Sequence, residues 1–140
     1  MRINKVSAEK GAALVEFALV FPLLLLLLMG IVEFGLLFHN KQVLTNASRE
    51  GARAGIARSD DEIGDIVNMY CGNRLVRFDT DMEPITTVAP TNYRLSPYGQ
   101  DLTVTVNYNY TFMVPDLLGF GPNMLLTAQT VMKMESVVLP

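Results

Sequence analysis

AALVEFALVFPLLLLLLMGIV, residues 12–32, is the stretch that decides how this chain is built. Glu16 is its one charged residue, and six consecutive leucines occupy 23–28. As an α-helix rising about 1.5 Å per residue, the stretch is about 30 Å long, which matches the hydrocarbon layer of a bilayer. A soluble core helix of that length keeps a polar stripe for water, and this one has none. A secretory signal would share the basic start, Arg2, Lys5 and Lys10. Its apolar core would be about half as long, however, and residues 33–48 contain no small-x-small cleavage site. The stretch therefore reads as a retained transmembrane helix, residues 12–33, behind a leader, residues 1–11.

Charge orients the span only weakly, because Lys41, Arg49, Arg53 and Arg58 follow it. Of these only Lys41 and Arg49 lie close behind, so the denser basic cluster is N-terminal. The positive-inside rule then places the leader in the cytoplasm and the remainder outside. Glu33 falls at the far headgroup level and is expected to act as an interfacial anchor. Pro22 removes one backbone hydrogen bond inside the span and is expected to kink it.

Beyond Phe38 the pattern becomes amphipathic without a breaker, so the helix is expected to continue as a stalk over 34–58, with Val43, Leu44, Ala47, Ala54 and Ile56 available for packing. Ala47, Gly51 and Gly55 line one stripe at four-residue spacing. Small side chains there permit close approach by another helix or by the head's own sheet. The competing reading is a loosened helix end, since each glycine costs about 1 kcal/mol relative to alanine. Arg49, Arg53 and Arg58 are either a rib for lipid phosphates or an acidic neighbour, or a solvated helix face.

The rest, residues 59–140, reads as an α+β head. Ser59-Asp60-Asp61-Glu62 has the form of a capping box with Ser59 as N-cap, followed by Ile63, Ile66, Val67 and Tyr70 on one face of a short helix stopping near Gly72. Pro84, Pro90 and Pro97 divide the next part into extended pieces, with strands expected near 75–78 and 85–88. Residues 102–112 alternate Leu, Val, Val, Tyr, Tyr, Phe with Thr and Asn, the period of a strand with one buried face. A return strand is expected over 125–134, antiparallel to it. The fold class is α+β: a long transmembrane and stalk helix packed against a small antiparallel sheet, with one short extra helix. The connecting loop is unusually apolar. Leu117, Leu118 and Phe120 in it either contact a partner or fold back over the open end of the core.

Residues 10–24, KGAALVEFALVFPLL, resemble the start of TadE-like minor pilins, the prepilins of tight-adherence (Flp, type IVc) pilus systems. Residues 30–35, GIVEFG, and 44–53, LTNASREGAR, continue the likeness. The resemblance implies cleavage between Gly11 and Ala12 by a prepilin peptidase at the cytoplasmic face, with Glu16 becoming the fifth residue of the mature chain. It also implies an inner (cytoplasmic) membrane location, with other pilins or pseudopilins and a membrane assembly platform as partners besides the bilayer. In the wider superfamily a glutamate at this position neutralises the terminal amine of a neighbouring subunit and sets the axial register. A carboxylate one turn inside an apolar run is costly without such a cation, although Glu16 can also snorkel to the headgroups or meet its own amine. Unlike Flp pilins, which are little more than the hydrophobic helix, this chain carries a head, which suits an initiating, capping or supporting role.

Other classes fit less well. A net charge of -3 disfavours a nucleic-acid partner, because displacing counterions from a polyphosphate needs a basic surface. With one histidine, one cysteine, no phosphate loop and no ligand spacing, the residues indicate neither catalysis nor a metal or other cofactor. His39 has no companion ligand. Cys71 is either a small buried apolar residue or one half of a disulfide between two copies. The structural reading therefore competes with an uncleaved single-pass scaffold or accessory protein of a secretion machine, and with a tethered ligand-binding module.

Overall fold

A computed structural model of the chain describes residues 3–57, 62–78, 82–114, 119 and 121–134, with burial defined from Lys10 onward. The chain is α+β. Helix α1 (Ile3–Ile56) is followed by a short helix α2 (Ile63–Gly72) and three strands, β1 (Ile85–Ala89), β2 (Asp101–Thr111) and β3 (Asn123–Lys133). Contacts divide it into two compact units, Met1–Phe34 and Gly35–Pro140.

The first unit is the N-terminal part of α1. It is helical from Ile3, before the expected cleavage point, and continues through Pro22. Leu14, Leu19 and Leu23 remain 70%, 74% and 69% exposed, as they would on a helix whose surroundings are lipid or other helices. Phe17 and Phe21, one turn apart, stack with centroids 5.3 Å apart. Glu33 departs from expectation: its side chain is fully buried, so its carboxylate is enclosed instead of being presented to headgroups.

In the second unit α1 buries Leu37, Asn40, Val43, Leu44, Ala47 and Ser48, the i, i+3, i+4 spacing of one helix face. The sheet is antiparallel in the order β1-β2-β3. β2 pairs β1 through Val104 and Val88, and pairs β3 through Val104 and Thr130 and through Tyr108 and Leu126. Period-two alternation turns Leu102, Val104, Val106, Tyr108 and Tyr110 into the core and leaves the threonines and asparagines between them half-buried on the other face. Tyr110 meets Phe112 and Phe78 edge-on, with centroids 5.6 and 6.3 Å away.

Helix α2 buries Ile63, Val67 and Cys71, successive positions of one stripe, while Ile66 and Tyr70 are half-exposed. Its N-cap is Glu62, in extended conformation and without a side-chain cap bond. Glu62 therefore precedes the first turn and cannot serve as the N3 glutamate of a capping box. Ser59 lies outside the described residues.

No strand forms at 75–78. The Val76 N–H donates to Asn40 Oδ1 at 2.9 Å, and Asn40 Nδ2 donates to the Val76 carbonyl at 2.8 Å. One buried amide thus occupies the groups that a neighbouring strand would have bonded. The strands beyond it follow the alternation closely, with β3 starting two residues earlier than expected.

Candidate functional site

In the first unit the candidate residues lie along one exposed helix. Gly11, Ala12 and Glu16 are exposed, and no neighbouring atom lies within 4 Å of where a Cβ on Gly11 would sit. Glu16 is one turn beyond Ala12, about 6 Å of helical rise. Among the described residues its carboxylate has no hydrogen bond or ion pair, so it remains available to a cation supplied from elsewhere. The helix here presents exposed apolar side chains and, among them, one exposed carboxylate.

In the second unit the small-residue stripe faces the head's own elements. Ala47 is fully buried. A Cβ on Gly51 would lie 2.8 Å from Val67 Cγ2 and 3.0 Å from Ile63 Cγ2, and one on Gly55 would lie 2.6 Å from Leu102 Cδ2 and 2.7 Å from Ile63 Cδ1. Both glycines let α2 and β2 approach the backbone of α1 more closely than any side chain allows. The stripe is occupied within the unit, because α2 and β2 fill it.

Several positioning residues escaped the sequence reading. Asn40 is one. Ser48, fully buried, donates to the Thr45 carbonyl at 2.9 Å and lies 2.7 Å from Thr130 Oγ1, joining α1 to β3. Lys41 Nζ donates to the Thr127 carbonyl on β3. The available signal was register: Asn40 and Ser48 fall on the same helical stripe as Leu37, Leu44 and Ala47, where a polar side chain must find a partner.

His39 Nε2 lies 3.0 Å from the Arg74 carbonyl, a backbone contact. No group of three or more metal-ligating side chains occurs among the described residues. Arg49 and Arg53 are exposed, and Arg58 lies outside the described residues. So do Leu117, Leu118 and Phe120; of their loop, Phe112 is buried and Met113 is 37% exposed. Cys71 is fully buried, and burial pushes its thiol up to about 11 against the opposing pull of Arg77 and Arg74. An open cleft of about 640 Å³ between the start of α2 and β1 is lined by Glu62, Ile63, Thr86, Tyr93, Arg94 and Leu95, among others.

Residues 11–53 match the model of a family described as TadE-like protein. No curated protein and no solved structure matches the chain.

Proposed function

From the premise that residues 11–53 are TadE-like, the mark of a pilus-associated protein of tight-adherence systems, we propose that this chain is a minor pilin or pseudopilin. In this reading α1 anchors it in the cytoplasmic membrane with the leader inside and the head outside. A prepilin peptidase cuts between Gly11 and Ala12. The freed helix then packs among other pilins on a membrane assembly platform, where the subunit initiates, caps or supports the pilus. No catalytic step and no cofactor is assigned to the chain.

The observation carrying this reading is the family match that begins at Gly11 and runs through the apolar helix into the stalk, together with the exposure of residues 12–28 of that helix. The physical logic lies in Glu16. Cleavage creates a cationic amine at Ala12, and pairing it with the Glu16 carboxylate of a neighbouring copy lowers the cost of holding either charge near hydrocarbon. Only one axial offset satisfies both charges, so the pair selects register.

N-terminal sequencing of the membrane-inserted protein tests the proposal. A chain beginning Ala12-Ala13-Leu14 supports it, whereas one retaining the leader while pili form normally leaves an uncleaved scaffold. Glu16→Gln is expected to be cleaved normally yet to enter filaments or pseudopili at least tenfold less efficiently, a loss equivalent to about 1.4 kcal/mol. Normal incorporation would remove the register role.

A further inference from the structure

We propose that the base of the head, the segment carrying Arg74, Arg77 and Phe78, binds anionic phospholipid headgroups of the leaflet it faces. The proposal rests on reading α1 as membrane-spanning. Residues 39 and 40 lie only seven or eight positions beyond the last residue of the apolar run at 32, about 12 Å of helical rise. His39 and Asn40 hold the segment at that level through the Arg74 carbonyl and both backbone groups of Val76. The tether thus fastens a segment with two guanidinium groups and an aromatic ring to the part of α1 that follows the apolar run by seven or eight residues.

Composition and geometry suit that layer. Phe78 is 45% exposed, with its inner side set edge-on to Tyr110, and Phe112, next on Tyr110, leads into the 37%-exposed Met113. Arg74 lies over the Tyr70 ring at 4.2 Å and donates to the Tyr70 carbonyl at 2.9 Å, which fixes the guanidinium without neutralising it. Arg77 Nε is enclosed and has no hydrogen-bond acceptor. Neither arginine enters an ion pair among the described residues, whereas Lys133 and Asp101 form one elsewhere. Bidentate guanidinium donors match phosphate oxygens, and the apolar Phe78 ring beside them suits the boundary between headgroups and acyl chains. Asp79 and Asp81, next along the chain, lie outside the described residues and would oppose an anionic surface.

The sequence contains no tryptophan, so full-length Phe78→Trp carries a single indole reporter. The protein is reconstituted into vesicles of phosphatidylcholine, with or without phosphatidylglycerol, and quenching by brominated lipid is read. Phosphatidylglycerol should raise quenching, and salt should reverse the rise. Each cation should shift the docked-to-free ratio about fivefold, so Arg74→Gln with Arg77→Gln should lower it roughly thirtyfold while the double lysine variant largely retains it. Asp79→Asn with Asp81→Asn should raise it. Met113→Trp should repeat the pattern, and Val131→Trp, on the far face of the sheet, should stay unquenched. Equal quenching with and without phosphatidylglycerol, unchanged by the double glutamine variant, overturns the proposal. So does quenching that falls on diluting the chain in lipid, because a second copy would then be the occupant. Failure of the chain to float with vesicles would overturn the membrane-spanning reading as well; flotation without anion dependence overturns headgroup binding alone.

Discussion

Replacing Asn40 with alanine should destabilise the second unit more than any other single polar truncation on α1. The side chain is fully buried, and its amide makes two hydrogen bonds, of 2.8 and 2.9 Å, to the N–H and carbonyl of Val76. Truncation removes both and leaves two backbone groups that must be desolvated without partners, at about 1–3 kcal/mol each. Val76 is only half-buried, so water can recover part of this, and about 2–4 kcal/mol remains. For a unit of about 100 residues each kcal/mol lowers Tm by about 4–8 °C, which predicts a fall of roughly 10–25 °C. The assay is thermal unfolding of the full chain in a mild detergent, followed by near-ultraviolet circular dichroism of the buried tyrosines Tyr108 and Tyr110. Gln42→Ala, at an exposed position on the same helix, should stay within about 0.5 kcal/mol of wild type. Asn40→Asp keeps the acceptor for the Val76 N–H but sets a carboxylate against the Val76 carbonyl. It should be worse than alanine at neutral pH and improve on acidification as the carboxyl protonates. If Asn40→Ala melts within about 2 °C of wild type, the bridge to Val76 contributes nothing and the account of segment 75–78 is wrong.

Gly51→Ala should cost about 1 kcal/mol net in the same melt: the helix gains about 1 kcal/mol from alanine, and overpacking against the stiff Val67 and Ile63 side chains loses more. Gly51→Leu should abolish the native transition, and a stable Gly51→Leu head would show that the stripe is not closely packed. Ser48→Ala should cost about 1–2 kcal/mol by leaving Thr130 Oγ1 without its 2.7 Å partner, and Thr130→Val added to it should recover part of that loss. Cys71 should resist thiol reagents at neutral pH until the head is unfolded. Its folded pKa, about 11, lies above its ordinary value of 9.0, so the unfolded chain releases the thiol proton first. Its contribution to stability is therefore full below about 9 and is lost as pH rises toward about 11, a loss that Cys71→Ala should remove from the pH profile.

The outline of this protein follows from periodicity, which a linear sequence records directly. An apolar run broken only by Glu16 marks a helix long and apolar enough to cross a membrane, and the Leu-Val-Val-Tyr-Tyr alternation of β2 marks a strand with one buried face. Both features are local, and the α1 and β2–β3 elements appear where the pattern places them. That Gly11, Ala12 and Glu16 lie along one helix was likewise legible, because spacing along a helix is set by its own rise.

Tertiary structure decided the rest, because those choices depend on which groups meet across long loops. Residues 75–78 have strand-like composition, yet both backbone groups of Val76 bond Asn40, 36 positions away. Glu62 looked like the N3 glutamate of a capping box until the observed start of α2 made it the N-cap. The glycine stripe fitted another helix, the head's own sheet and a loosened helix end alike. Only the positions of Val67, Ile63 and Leu102 show that the head itself fills it. A polar residue on a buried stripe announces from sequence that it needs a partner, but its identity is set by packing, since a hydrogen bond is specified by three-dimensional proximity and not by spacing along the chain.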